Sequence, residues 1–291
     1  MYFVTLLCAP LMVVLTNGHP ALMFRLDSLS VLEFSGQDAG QFLHNQLSAD
    51  INAIPSGDSG FACCCNPAGR VIGLLLVCVQ EETIFALCAS DLAEPLQQWL
   101  SRFVIRADVK IELRPDLTVA SRSQEDSPPG SIALDTDTGL NYAIIPASNQ
   151  QPEFDSNQAG QWSTQELKAG VIWLDKASST QFLPQMLGFE SIAALSFNKG
   201  CYPGQEIIAR TRYLGNLKRR PMLLHASQSI AVEVMEKISL NSGQENYSAV
   251  VVASGPGQAQ DQYLFVVLRA SQDVDVDQFV IHGQSYDLDG I

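Results

Sequence analysis

The sequence predicts an α+β fold with ferredoxin-like layers of sheet and helix and a small β-barrel at the C-terminal end. Three observations lead there. Residues 1–115 carry strand and helix signals in the order β-α-β-β-β-α-β, which suits a sheet with helices on one side. From Arg220 onward only short strand-like runs occur, separated by Ser242-Gly243 and Gly255-Pro256-Gly257. At 291 residues, 46 % apolar and 16 % charged, the chain is long and apolar enough to bury a large core.

Each element has its own warrant. Phe24 to Phe34 reads as a strand ending at the Ser35-Gly36 turn, and Gln37 to Leu47 as a helix with Phe42, Leu43 and Leu47 at near-helical spacing. Gly60–Cys65 and Val71–Gln80 form a hairpin around Asn66-Pro67-Ala68-Gly69. Thr83 to Ala89 adds a strand. Ser90-Asp91 starts a helix to about Val104, with Leu92, Leu96, Trp99 and Leu100 on one face. Val109 to Leu113 is a further strand. Residues 121–130 and 146–161 are polar and read as loops. Gly204 to Leu214 reads as a short helix or a strand. The C-terminal strands are Met222–His225, Val232–Leu240, Tyr247–Ser254, Gln262–Leu268 and Phe279–Leu288. The first fifteen residues are uncharged and mostly apolar. Without a leading Lys or Arg, and interrupted by Pro10, they read as a buried strand or extended start and not as a signal peptide or membrane span.

Charge and cysteine usage narrow the function. The formal net charge is −14, which argues against broad nucleic-acid binding. Residues 199–220 nevertheless hold Lys199, Arg210, Arg212, Lys218, Arg219 and Arg220 against the single acid Glu206. That basic stripe on an acidic chain suggests an anionic ligand; the alternative is a solvated helix face. The seven cysteines show no C-x-x-C pair and no zinc-type or cluster-type spacing. Cys63, Cys64 and Cys65 read as small buried hydrophobes, and the thiols as reduced, which places the chain in the cytoplasm with no permanent metal.

Lys199-Gly200-Cys201-Tyr202-Pro203-Gly204-Gln205-Glu206 concentrates the chemistry. Glycines at 200 and 204 permit a tight turn that presents Cys201, and Lys199, Arg210 and Arg212 would favour its thiolate. The structural alternative is a plain turn before a helix with an inert cysteine. Gln205 and Glu206 would orient the turn, and Glu206 and Arg210 stand at i and i+4, the spacing of a helix salt bridge. His19, His44, His225 and His282 stand in no recognisable pairing with Cys201, so no catalytic base is identifiable.

This segment resembles the K-G-C-Y-x-G-Q-E signature of the YgfZ proteins, folate-binding relatives of the aminomethyltransferase (T-protein) of glycine cleavage. Gln181-Phe182-Leu183-Pro184-Gln185 resembles that family's Q-F-I-P-Q segment. Phe42-Leu43-His44-Asn45-Gln46-Leu47-Ser48-Ala49-Asp50 resembles its F-L-x-x-Q-x-T-x-D segment, and Asn66-Pro67-Ala68-Gly69-Arg70 its D-x-x-G-K/R turn. The four lie in the family's order within residues 24–220.

The resemblance implies a GcvT-like folate-binding fold. Its parts would be an N-terminal subdomain (1–115), a shortened second subdomain with the cysteine motif (116–220) and the C-terminal barrel (221–291). It implies tetrahydrofolate in a central channel. Trp162, before Glu166-Leu167-Lys168-Ala169-Gly170, would stack on a flat ring or serve as a core or loop-anchoring tryptophan. Gln46 and Asp50 would line the channel or serve as cap and turn, and Asp175 would mark the other wall or a turn. Arg210 is the cation for an anionic ligand. Two departures stand out. Lys168 replaces the family's E-A-G glutamate and would pair with the folate's glutamate tail, and Leu29 replaces a second tryptophan. The implied function is a folate-binding accessory protein that supports iron–sulfur cluster assembly or repair and, indirectly, tRNA modification. Its partners would be folate and iron–sulfur enzymes or their assembly proteins, with no direct nucleic-acid contact and no membrane. Cys201 would be the functional thiol, able to hold a cluster transiently or form a mixed disulfide. The alternative is a tetrahydrofolate-dependent aminomethyl or one-carbon transferase.

Overall fold

The computed structural model describes residues 24–122, 130–147, 159–215, 217–242, 245–257, 261–270, 278–281 and 284–287. The expected N-terminal strand and most of the two polar loops lie outside them. The first layer follows the anticipated order: β1 (Leu29–Ser35), α1 (Ala39–Gln46), β2 (Ser59–Cys65), β3 (Val71–Val79), β4 (Thr83–Ala89), α2 (Ser90–Ser101) and β5 (Lys110–Leu113). The strands form one antiparallel sheet, β2-β3-β4-β1-β5. β3 is buried at eight of its nine positions, which its run of Leu, Val and Ile can sustain only because structure covers both faces. α2 presses on it at Gly73, where a side chain would meet Leu96 at 3.1 Å. The three adjacent cysteines of β2 are all buried, and a register shift between Cys64 and Cys65 bends the strand end toward the Asn66 turn.

A three-stranded sheet follows, β6 (Leu117–Arg122), β7 (Ile132–Leu134) and β8 (Asn141–Pro146), in the order β6-β8-β7. α3 (Ala159–Lys168) then precedes an extended segment that crosses back to the first sheet. The Gly204–Leu214 stretch resolves as helix, α4 (Gln205–Leu214).

The C-terminal strands are β9 (Arg220–Ala226), β10 (Lys237–Ser242), β11 (Glu245–Pro256), β12 (Gln262–Leu268), β13 (Gln278–Ile281) and β14 (Gln284–Asp287). The small barrel expected here takes the form of a six-stranded antiparallel sheet, β14-β13-β10-β11-β12-β9, with no ladder between β14 and β9 among the described residues. Phe279–Leu288, read as one strand, divides into the paired β13 and β14. One core joins the first sheet, the middle segments and Val252, Phe265 and Val267, and a second lies within the C-terminal sheet around Leu224, Leu240, Leu264 and Phe279. Among the described residues no helix is long and apolar enough to cross a membrane.

Candidate functional site

The four segments singled out in the sequence converge on one junction, and their own polar groups hold it together. Asn66 Oδ1 accepts from the amides of Ala68 and Arg70, both at 3.0 Å, closing the turn after β2. Arg70 donates to Gln181 O at 2.6 Å, and Val71 N to Phe182 O at 2.9 Å, which ties that turn to the Gln181–Gln185 segment. Gln185 Nε2 in turn donates to Ile208 O of α4 at 2.8 Å.

The cysteine segment docks through a glycine pair. Gly204 has φ +82°, and a Cβ on it would lie 2.5 Å from Asn66 O and 2.6 Å from Gly69 Cα. Gly69, at φ +72°, has Gly204 O at 3.3 Å from its own missing Cβ. Both positions therefore need glycine for conformation and for space.

Ser48 and Lys199 complete the junction. Ser48 is fully buried; its Oγ donates to Ala194 O at 2.6 Å and accepts from Cys63 N at 2.8 Å. Lys199 Nζ donates to the carbonyls of His44, Leu47 (2.7 Å) and Ala49 (2.9 Å) at the C-terminal end of α1. An ammonium there neutralises the helix dipole and satisfies orphan carbonyls. Partial burial lowers the Lys199 amine to about 8, against the opposing pull of Asp50.

Sequence reasoning gave Lys199 to the thiol; the structure gives its three donors to α1. Arg212 is likewise engaged, 3.1 Å from Glu190 and 4.0 Å from the Phe197 ring. Arg210 and Glu206 are exposed on α4, and among the described residues no ion pair joins them. Gln205 opens α4 half-buried.

Cys201 is exposed, whereas the other described cysteines, at 63, 64, 65, 78 and 88, are buried. Burial pushes the Cys63 and Cys88 thiols up to about 12 and raises Cys64 and Cys65 strongly as well, so none of these supplies a thiolate near neutrality. Tyr202, next to Cys201, turns inward and is 6 % exposed; its hydroxyl has no hydrogen-bond partner among the described residues, and burial raises it. Gln46, the last residue of α1, has a buried Oε1 in the same condition. Asp50 stands 3.1 Å from His44 Nδ1. Among the described residues no group of three His, Cys, Asp or Glu side chains is placed to hold a metal ion.

A second polar cluster lies on α3. Glu166 Oε1 accepts from Tyr142 OH (2.9 Å), Trp162 Nε1 (3.2 Å) and Trp173 Nε1 (2.9 Å). Tyr142 meets both indoles edge-on, at 5.6 and 6.3 Å between ring centroids. Burial raises the Glu166 carboxyl to about 7, partly offset by the three donors. Trp162, named in the sequence as a platform for a flat ring, is thus 8 % exposed and has its N–H on Glu166. Lys168, at the end of α3, is exposed with Nζ 4.2 Å from the Tyr263 ring centroid. Leu29 is buried in β1 opposite Ala89. Asp175 forms a turn, its Oδ1 accepting from Ser178 N and Oγ.

Gln46, Asp50, Lys199, Cys201 and Gln205 therefore stand on the elements of one junction. Trp162 and Lys168 stand on α3, which packs against the C-terminal sheet. Sequence reasoning missed the His44–Asp50 pair, Ser48, and the roles of Tyr142 and Trp173. Trp162 and Glu166 are four apart, a legible helical contact; Tyr142 and Trp173 join them only through the tertiary fold.

Comparison with known proteins bears on the family resemblance and the fold. No family model matches the chain. A curated protein from Yersinia enterocolitica, named tRNA-modifying protein YgfZ, is 26 % identical over 77 % of each chain. Proteins of the same name from Yersinia pestis and Serratia proteamaculans are 24 % and 26 % identical, covering 91 % and 89 % of this chain and 88 % and 87 % of theirs. Among solved structures, glycine cleavage system aminomethyltransferase T from Bartonella henselae superposes with a TM-score of 0.70 at 12 % identity, over 91 % of this chain and 83 % of that one. The resemblance carried by the four motifs thus extends along most of the chain, which is similar to curated YgfZ proteins and shares the fold of the glycine cleavage aminomethyltransferase.

Proposed function

We propose that this chain is a folate-binding accessory protein that supports iron–sulfur cluster assembly or repair and, indirectly, tRNA modification, with Cys201 as its working thiol. One observation carries the reading. Four separated segments commit hydrogen bonds and two positive-φ glycines to a junction that leaves a single described cysteine exposed. Stability alone does not require a thiol at that point. The relatives' printed name, tRNA-modifying protein, agrees with an effect on tRNA.

A folded pterin-type ligand offers donors and acceptors along one edge, and the buried polar atoms without protein partners, Gln46 Oε1 and Tyr202 OH, suit such a ligand. Gln46 and Asp50 would hold its polar edge and Lys168 an anionic tail. Calorimetric titration with tetrahydrofolate tests this part. Trp162→Ala is a poor probe because it opens the core around Glu166. Gln46→Ala and Lys168→Ala keep the core, and saturable binding weakened in either supports the site. No binding by the wild type removes folate from the account and leaves Cys201 to stand alone.

The shared fold favours one second reading, a tetrahydrofolate-dependent aminomethyl transferase. Formation of methylene-tetrahydrofolate from an aminomethylated lipoyl carrier would establish it.

A further inference from the structure

His44 is held between two segments, and its two ring nitrogens face different partners. Nδ1 lies 3.1 Å from Asp50 Oδ1. Both atoms are buried, off the line of a hydrogen bond, and have no other partner among the described residues. Nε2, on the far side of the ring, faces the backbone of Gly200: a Cβ on that glycine would sit 3.9 Å from it. The next residue is Cys201, exposed and outside any disulfide.

We propose that His44, oriented by Asp50, is the base that takes the Cys201 proton, so that Cys201, His44 and Asp50 form one constellation across the α1–Cys201 junction. The inference rests on the reading of Cys201 as the functional thiol. In this arrangement Asp50 Oδ1, 3.1 Å from Nδ1, would turn into line to hold a proton on that nitrogen and leave the Nε2 lone pair toward the cysteine segment. In the step, the S–H bond breaks, the proton passes to Nε2, and a thiolate and an imidazolium result. No electron changes hands, and the Asp50 carboxylate stabilises the imidazolium. The Lys199 ammonium also stands at this place, anchored on the carbonyls of His44, Leu47 and Ala49. Exposed side chains reorient on the ps–ns timescale, and the proposal requires Cys201 to meet Nε2 through such a reorientation.

The test is the rate of alkylation of Cys201 by iodoacetamide, followed by mass spectrometry of its peptide from pH 6 to pH 9.5 in the full chain. An ordinary thiol is only about 3 % ionised at pH 7. Full ionisation raises the rate ~30-fold, and the lower nucleophilicity of a stabilised thiolate cuts that to about tenfold. Wild-type Cys201 should therefore react about tenfold faster at pH 7 than Cys201 in His44→Gln, whose rate should keep climbing through the ordinary thiol range. Asp50→Asn should slow the reaction several-fold with His44 intact, and it decides the matter if His44→Gln does not fold. A merely structural pair predicts lower melting temperatures with unchanged rates. Wild-type rates in folded His44→Gln or Asp50→Asn overturn the base. A Cys201 that reacts in no folded form overturns the reading of it as a reachable thiol, and the proposal with it.

Discussion

Adding one methyl group to Gly204 tests how the cysteine segment is held. The residue is in the left-handed region at φ +82°, where an alanine costs about 1–2 kcal/mol. Its Cβ would lie 2.5 Å from Asn66 O, 2.6 Å from Gly69 Cα and 2.7 Å from Gly69 N. Those are backbone atoms of a closed turn, which cannot rotate aside as a side chain can. The two segments must therefore part by roughly 1 Å to reach normal contact. Overpacking of this kind typically costs about 1–3 kcal/mol. The sum, about 2–5 kcal/mol, corresponds to a fall in melting temperature of roughly 5–15 °C for a chain of this size. Gly57 is an internal control: φ is +93°, and a Cβ there meets nothing within 4 Å. Gly57→Ala should show the dihedral cost alone. Thermal unfolding followed by circular dichroism compares them directly. Equal shifts for the two variants would refute the argument that close packing of Gly204 on Gly69 builds the junction.

Three further outcomes follow from the same geometry. Ser48→Ala leaves Cys63 N–H and Ala194 C=O buried without partners and should lower unfolding free energy by about 2–4 kcal/mol in urea titrations; less than 0.5 kcal/mol would mean that water replaces the hydroxyl. Glu166 is raised from 4.5 to about 7, so the native state holds that proton more tightly than the unfolded chain. The resulting stabilisation is complete below about pH 4.5 and is lost as pH rises through 7, about 3 kcal/mol in all. Glu166→Gln should therefore flatten the fall in urea midpoint between about pH 5 and pH 7.5, and an unchanged slope contradicts the burial argument. Cys63, Cys64, Cys65, Cys78 and Cys88 should resist alkylation in the folded protein and react on denaturation, whereas Cys201 reacts in both; native-state labelling of Cys64 would contradict its burial.

The elements most legible in the sequence were those whose pattern is local. Thr83–Ala89 and Gln262–Leu268 are strands with the bounds their β-branched and aromatic runs suggested, and the Asn66–Gly69 turn carries its own Asx chemistry. Phe279–Leu288 misled because strand formers on either side, Phe279-Val280-Ile281 and Tyr286, outweighed one turn signal, Gly283. At the site, the positive φ of Gly204 could be anticipated from the motif, but not that Gly69 would be the surface it meets. Lys199 was assigned by its nearness in sequence to Cys201. Its actual partners are the carbonyls at the end of α1, some 150 residues away, which no local pattern records. His44 fails for the same reason: its relation to Gly200 exists only once α1 and the cysteine segment are packed together.

The central claim is that this junction exists to present a working thiol. The most direct measurement is rescue of a bacterial strain lacking its YgfZ-type protein by the wild-type chain and by Cys201→Ser, with thiolated tRNA as the readout and melting temperature as the check on folding. Cys201 is exposed, so the substitution should leave the fold intact while rescue is lost. Full rescue by a stably folded Cys201→Ser would contradict the account.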